Sequence, residues 1–221
     1  MSWPAQTIHF IDFEGSVGSG ILEYGVVTLR GGEIVDTVTR LCRATGRVRE
    51  EDAAVHGIVA ANVAQEAPFS DAWEQFATWR ESGPLAAHFA NAENTMLKSV
   101  WPYARQAPDF VRAGDVSTEW GPWIDTGRLY PQLYTGLETA RLEDLVPRCG
   151  LQNELDRVAL QVCPVGRCRY HAALYDALAG ALLLRRLATE PEVAVKPLAW
   201  LLTMSTLNPE KREEMNQGAF F

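Results

Sequence analysis

Hydrophobic and polar positions follow two different periods along the chain, and together they predict an α/β fold. Residues 7–14, 22–30 and 33–41 are rich in β-branched and aromatic side chains, which is typical of strands. A Gly-Gly pair at 31–32 marks a tight hairpin turn between the last two. Three early strands followed by alternating helices and strands predict a mixed central sheet flanked by helices.

Helical spacing dominates the rest of the chain. We predict helices over five segments: 70–81, 92–101, 141–148, 171–188 and 196–204. Short buried strands are predicted at 84–89 and 122–125. The 171–188 helix is apolar nearly all round, which is typical of a helix buried in a core. A catalytic or binding domain is expected over 1–190, followed by a C-terminal helix and tail over 191–221.

The composition narrows the class of protein. Of 221 residues, 47% are hydrophobic and 22% are charged, which is ordinary for a globular chain with a sizeable core. The formal net charge is −8, from 20 Lys+Arg against 28 Asp+Glu, and this argues against nucleic-acid binding through a broad basic face. It does not exclude an enzyme whose acidic site is neutralised by metal ions. Sparse cysteines and no evident signal peptide favour a cytoplasmic location.

Two carboxylates lie where burial makes them costly. Asp12 and Glu14 are two residues apart in the first predicted strand, so both side chains leave the same face. Two desolvated acids repel each other unless a cation joins them, and carboxylate oxygens suit Mg²⁺ or Mn²⁺. The alternative is a pair of charges at an exposed strand end.

Asp176 is the second anomaly, because it interrupts the apolar 171–188 helix. A carboxylate on a buried helix needs a partner. His171 lies five residues earlier, about 140° away around an ideal helix. It therefore shares a site with Asp176 only if it precedes the regular helix, on the entry loop. The alternative is a helix-capping histidine and an aspartate paired with an arginine.

Glu93 is a third acid, in the first turn of the helix that follows the 84–89 strand. Ligand sites in α/β sheets gather at such strand ends. An acid in the first helical turn also suits the helix dipole, and that is the purely structural alternative.

Three short motifs occur in this order: Asp12-Phe-Glu14, His88-x-Ala-x-x-Glu93 and His171-x-Ala-x-x-Asp176. Together they resemble the DEDDh branch of the DEDD superfamily of 3′–5′ exonucleases, the type of the proofreading epsilon subunit of bacterial DNA polymerase III. Segments 55–58, 124–126 and 142–145 resemble the family's His-Gly-Ile loop, its next strand and the following helix. The resemblance covers residues 7–187 and implies a ribonuclease H-like fold.

The resemblance also implies a two-metal hydrolase. It assigns two divalent cations, Mg²⁺ or Mn²⁺, to four acids: Asp12, Glu14, Glu93 and Asp176. Two such ions can stabilise the attacking and leaving oxygens of a phosphodiester. His171 is then the general base that takes the proton from the attacking water, a role suited to histidine near neutral pH.

Departures from the family pattern concern the second motif most. Phe89 replaces the usual Asn, and Glu93 stands where an Asp is usual. Glu is one methylene longer but offers the same charge and ligand atoms, while Asn91 and Asn94 are further candidates for that position. Gly15 replaces a common Thr, and a glycine would let a terminal sugar approach the backbone closely.

Further residues are candidates for binding rather than catalysis. Substrate contacts are expected at Gly15, His56, Ile58 and His88, with a plain turn as the alternative for His56. The tail residues Gln217, Phe220 and Phe221 resemble a bacterial sliding-clamp-binding peptide, or else fold back onto the domain. A zinc site at Cys163, Cys168 and His171 is an alternative that would compete with the role of His171 as general base.

The sequence therefore predicts a metal-dependent 3′–5′ exonuclease that acts on single-stranded ends, with DNA favoured over RNA. Two alternatives remain open. One is an exoribonuclease for short RNAs. The other is a non-catalytic module that has kept the fold and joins a replication or repair assembly through its tail.

Overall fold

The computed structural model describes residues 2–206, 210 and 213. Its strands are β1 (Thr7–Ser16), β2 (Gly20–Arg30), β3 (Glu33–Leu41), β4 (Leu85–Ala87), β5 (Ala107–Pro108), β6 (Val116–Ser117) and β7 (Ile124–Asp125). Five of them form one sheet of order β3–β2–β1–β4–β7, while β5 and β6 form a separate ribbon. The first three strands are antiparallel, and β4 and β7 join in parallel, so the sheet is mixed.

Helices flank this sheet, as the sequence predicted. They are α1 (Glu50–His56), α2 (Trp73–Ser82), α3 (Asn91–Val100), α4 (Thr126–Leu133), α5 (Leu142–Arg148), α6 (Gln152–Val162), α7 (Ala173–Leu187), α8 (Pro191–Ala194) and α9 (Leu198–Ser205). No helix in the described ranges is long and apolar enough to cross a membrane.

The pleat of β1 divides the interior into two cores. Ile8 and Phe10 point to the face covered by α7, where a large aliphatic core forms. Ile11 and Phe13 point to the other face, where an aromatic core includes Phe76 and other rings from α2 and its neighbours. Since Asp12 and Glu14 share the parity of Phe10, they lie on the α7 face.

Close approach of α7 to the sheet depends on glycine. An added Cβ at Gly25 would lie 2.3 Å from the backbone of Ala173 and Leu174, at the start of α7. Gly25 is the register partner of Asp12 across the β1–β2 pair. The missing side chain at Gly25 therefore leaves the space in which the first turn of α7 reaches the acidic strand.

Most predicted elements are confirmed, with shifted ends. The predicted 171–188 helix begins only at Ala173, and the predicted 84–89 strand is limited to Leu85–Ala87. Helix α6 was not predicted, although its buried Leu155 and Ala159 have helical spacing. Helix α1 was not predicted either, because its segment is polar and only seven residues long.

The C-terminal segment packs onto the domain as far as it is described. Leu198, Leu201 and Leu202 of α9 belong to the same core as α7, and the Ser205 hydroxyl accepts a hydrogen bond from the Asp125 backbone at 2.9 Å. The division at residue 190 stays a prediction. The tail residues Gln217, Phe220 and Phe221 lie outside the described residues.

Replacing Gly25 with Ala should destabilise the protein by about 1–3 kcal/mol, because the new methyl group would push the start of α7 off the sheet. Urea denaturation followed by tryptophan fluorescence measures this. Gly18→Ala is the matched control, since its nearest neighbouring atom would be 3.8 Å away. Equal stability of the two variants would contradict the packing argument.

Candidate active site

The entry to α7 places His171 and Asp176 together. His171 lies before the first helical residue and has a φ of 60°, which is unusual for a residue with a side chain. Its backbone N–H donates to Asp176 Oδ2 at 2.9 Å. The His171 side chain is exposed, whereas Asp176 is 7% exposed. The condition set by helix geometry is therefore met: His171 precedes the helix and reaches the same site.

Asp12 and Glu14 bring two more carboxylates to this point from β1. Asp12 is half-buried, and Glu14 is 8% exposed. A register shift follows Glu14, and there Gly15 has a φ of 126°. A side chain at Gly15 would collide with the Gly20 carbonyl, so the register shift between β1 and β2 itself requires a glycine here. The same glycine also leaves the backbone open.

Glu93 completes the acidic group from α3. It is 6% exposed, and its buried Oε2 finds no hydrogen-bond partner in the described part of the chain. Of the other two candidates on α3, Asn91 is exposed, and the Asn94 side-chain oxygen accepts from the Trp123 indole at 3.1 Å. Both asparagines line a cavity of about 630 Å³ on the opposite face of α3. Glu93 is thus the residue of this helix that faces the other acids.

Burial and mutual repulsion perturb all four carboxyls. Burial raises the pKa of Glu14 to about 8, with the charge of Asp176 adding to the shift. It likewise raises the pKa of Asp176 to about 7. Desolvation also raises the pKa values of Asp12 and Glu93, each of which is further raised by neighbouring acids. In the absence of a cation, this site therefore favours bound protons.

The donor set fits divalent cations. Ligand atoms of Glu14, His171 and Asp176 all lie within 4.8 Å of one another. Buried oxygens of Glu93 and Asp176 have no hydrogen-bond partner among the described residues. Carboxylates with free lone pairs in a buried cluster are the hard oxygen ligands that Mg²⁺ and Mn²⁺ prefer.

Three of the four expected substrate-contact residues, His56, Ile58 and His88, make hydrogen bonds within the chain. His56 ends α1, and its Nδ1 accepts from the Ile58 backbone at 3.0 Å, while Ile58 is buried. His88 has both ring nitrogens engaged, with the Thr126 hydroxyl at 2.9 Å and the Ala140 carbonyl at 2.5 Å. Its pKa is lowered by burial to about 4. Their expected contacts with substrate stay predictions.

Asp125 explains the geometry of the second motif. Its two carboxylate oxygens accept from the backbone N–H groups of Phe89 and Ala90, at 2.9 and 3.0 Å. This holds Phe89 at a φ of 61°, at the turn between β4 and α3. The turn aims Glu93 at β1.

The zinc alternative finds no support in the described part of the chain. All four cysteines are free, and the candidate metal cluster includes none of them. Cys163 lies beside Cys168, but His171 is directed to Glu14 and Asp176. His9 has a structural role, because its buried ring hydrogen-bonds to the hydroxyls of Thr28 and Ser82.

Glu23 and Arg167 belong to this site and were missed. Glu23 is 2% exposed on β2, directly opposite Glu14 in register. Arg167 forms an ion pair with it from the loop before His171. A charge inside the apolar 22–30 strand was a signal for Glu23. Nothing local singles out Arg167, because its partners Glu23 and His56 are more than one hundred residues away.

Known structures with a similar fold are exonucleases. Exonuclease X in complex with 5′-overhanging duplex DNA is 22% identical, covers 88% of this chain and 99% of its own, and has a TM-score of 0.63. The nuclease domain of 3′hExo, a DEDDh family member bound to rAMP, is 16% identical over 89% of this chain and 98% of its own, with a TM-score of 0.62. This chain has their fold.

A third similar structure is E. coli exonuclease I in complex with a dT13 oligonucleotide. It is 10% identical, with a TM-score of 0.63, and the match covers 85% of this chain and 42% of that one. No protein-family model and no curated protein matches the chain. The predicted ribonuclease H-like fold class is confirmed, while the likeness to the proofreading epsilon subunit rests on the sequence motifs alone.

Without metal, the protein should lose stability as pH rises from about 6.5 to 8, above the range in which the lowered pKa values of His9 and His88 oppose the effect. The folded-state pKa values of Glu14 and Asp176 lie above their ordinary values of 4.5 and 3.8, so the folded protein holds protons that the unfolded chain has released. Each kcal/mol corresponds to roughly 2–4 °C in melting temperature for a chain of this size.

Thermal unfolding in EDTA and in Mn²⁺, measured across this pH range, tests the prediction. Mn²⁺ should stabilise the protein more at pH 8 than at about pH 6.5, because ligands must be deprotonated to bind metal. Asp176→Asn removes one of the shifted carboxyls and should therefore reduce the pH dependence in EDTA. A melting temperature in EDTA that rises over this range would contradict the assignment.

Proposed function

We propose that this protein is a metal-dependent 3′–5′ exonuclease that hydrolyses phosphodiester bonds at single-stranded 3′ ends, with DNA favoured. The observation that carries the proposal is the convergence of three buried carboxylates and the half-buried Asp12 beside the exposed His171. The charge of four acids, −4, balances two divalent cations. A buried cluster of this kind has no structural use that offsets its desolvation and repulsion unless cations bind there.

Each protein group has a distinct part in this mechanism. Asp12, Glu14, Glu93 and Asp176 would hold two Mg²⁺ or Mn²⁺ ions. Such ions supply Lewis-acid stabilisation of the attacking and leaving oxygens when bound. His171 takes the proton from the attacking water at its ring, which is exposed at the edge of the site. Asp176 orients His171 by accepting its backbone N–H.

The similarity to exonucleases bound to nucleic acid supports the substrate class. Because the protein outside the four acids has only a small net negative charge, we expect it to bind long duplexes weakly and to bind a frayed end through local contacts. Help from a partner, such as a sliding clamp or polymerase assembly reached through the tail, would keep the enzyme on DNA. The four free cysteines suit a reducing cytoplasm.

RNA is the second candidate substrate. One similar structure is described as 3′-end-specific recognition of a histone mRNA stem-loop by a 3′-exonuclease. Matched single-stranded DNA and RNA oligonucleotides, digested in Mn²⁺ or Mg²⁺, separate the two substrates. With a 5′ label, 3′–5′ digestion gives a descending ladder, and with a 3′ label it releases mononucleotide at once. We expect faster digestion of DNA, and no product with EDTA.

Asp12→Asn should lower hydrolysis by at least about 10²-fold, a cost typical of removing one electrostatic group from a transition-state site. The variant removes charge with little change of shape, so it should remain folded. Asp36→Asn, an exposed acid on β3, is the matched control and should keep full activity. Wild-type rates in Asp12→Asn with Mn²⁺ would refute the site assignment.

His171→Gln should lower the maximal rate by about 10²–10⁴-fold, which is the usual contribution of a general base. Its KM for the oligonucleotide should change little, because the ring acts on water rather than on the nucleic acid. Steady-state kinetics separate the two parameters. A raised KM with unchanged kcat would instead make His171 a binding residue. No metal-dependent hydrolysis of either DNA or RNA by the wild-type protein would favour the non-catalytic alternative.

A further inference from the structure

We propose that Arg167 is a positioning residue for His171, acting through a buried ion pair with Glu23. Arg167 lies in the loop between α6 and α7, and nothing in its local sequence marks it as part of a site. The kinetic test of this inference rests on the proposed exonuclease function, while the geometry of the ion pair is independent of that function.

The guanidinium of Arg167 joins three separate parts of the chain. Its Nε donates to Glu23 Oε1 at 3.1 Å, and its Nη2 donates to the second oxygen of the same carboxylate. Its Nη1 donates to the His56 carbonyl at 2.7 Å, at the end of α1. Its Nη2 also lies 3.5 Å from the His171 carbonyl. A rigid fork of donors suits this task, which a single ammonium group cannot reproduce.

Glu23, the acidic partner in the ion pair, also contacts the start of α7. Its side chain is 3% exposed, and its Oε2 also accepts from the backbone N–H of Ala173 at 3.0 Å. Ala173 is the first residue of α7. One carboxylate on β2 therefore holds both the loop that carries Arg167 and the helix that carries Asp176.

Both the backbone N–H and the carbonyl of His171 face side chains that constrain them. Its N–H donates to Asp176, and its carbonyl faces Arg167. A left-handed φ of 60° is unfavourable for histidine and persists only where surrounding contacts enforce it. These two contacts supply that constraint, and they set where the imidazole stands relative to Glu14 and Asp176.

Arg167 is directed inward rather than at a substrate. The contacts to Glu23, His56 and His171 engage its Nε, Nη1 and Nη2, and its side chain is only 16% exposed. The positive charge of Arg167 also compensates the negative charge of Glu23, which faces Glu14 across the β1–β2 pair. Without that compensation the two glutamates would repel each other. A role in orientation therefore predicts an effect on kcat rather than on KM.

Arg167→Lys is the first test. The variant keeps the positive charge but loses the fork, so kcat on a single-stranded oligonucleotide should fall about 10–100-fold, as expected for a misplaced catalytic group. KM should stay within about 3-fold of wild type, because uniform substrate binding is untouched. Full kcat in Arg167→Lys, or a raised KM with kcat retained, would overturn the proposal.

Glu23→Gln is the second variant, and it keeps the test decisive if Arg167→Lys does not fold. It preserves shape and removes the ion pair, and the same selective loss of kcat is expected. Arg185→Lys is the matched control. Arg185 pairs with Glu154 at 2.5 Å and is partly buried on the same helix, α7, nine residues beyond Asp176. Its kcat should remain that of wild type.

Histidine NMR provides a readout that needs no activity. The chain has four histidines, and His171→Gln identifies the His171 Cε1–H resonance. In metal-free protein, this resonance should shift or broaden in Arg167→Lys and Glu23→Gln, while those of the interior His9 and His88 stay in place. An unchanged His171 resonance would overturn the proposal. A wild-type protein that digests neither DNA nor RNA would refute the proposed function and leave this measurement valid.

Discussion

Repulsion among buried carboxylates is the constraint on which the rest of the structure depends. Asp12, Glu14, Glu93 and Asp176 come from three different elements and converge with raised pKa values. Hydrophobic packing around them must outweigh this local cost whenever the site lacks cations. The long apolar α7 and the aromatic core on the other face of β1 provide that packing, so well-packed hydrophobic cores surround the mutually repelling acids.

Small features of the backbone determine how closely the acids meet. Gly25 leaves room for the first turn of α7, and Asp125 holds the turn that aims Glu93 at β1. Arg167 and Glu23 hold the loop before α7. Gly25 makes room for main-chain atoms, and the other three residues hydrogen-bond to them. Functional geometry here is thus set by contacts between backbone and buried polar side chains, with hydrophobic burial supplying the stability.

The altered second motif has a structural account. Phe89 stands at the β4–α3 turn, and the Arg128 guanidinium lies over its ring, 5.3 Å from the ring centre. An added Cβ on Gly127 would meet the same ring at 2.7 Å, so the phenylalanine fills the space that this glycine leaves. Glu93 then reaches the acidic group from the third position of α3. The replacement changes packing at the turn and keeps a carboxylate at the site.

Local patterns in the sequence were enough to predict most of the sheet and helix pattern, the shared face of Asp12 and Glu14, and the requirement that His171 precede the helix. Period two in strands and about 3.6 in helices are local rules, so they can be read from neighbouring residues. The folded chain was needed to show that Glu93 rather than Asn91 faces the acids, and that Glu23 meets Arg167, which is 144 residues away. Such pairings depend on how α3 and α7 cross the sheet, and that crossing is set by packing between distant segments.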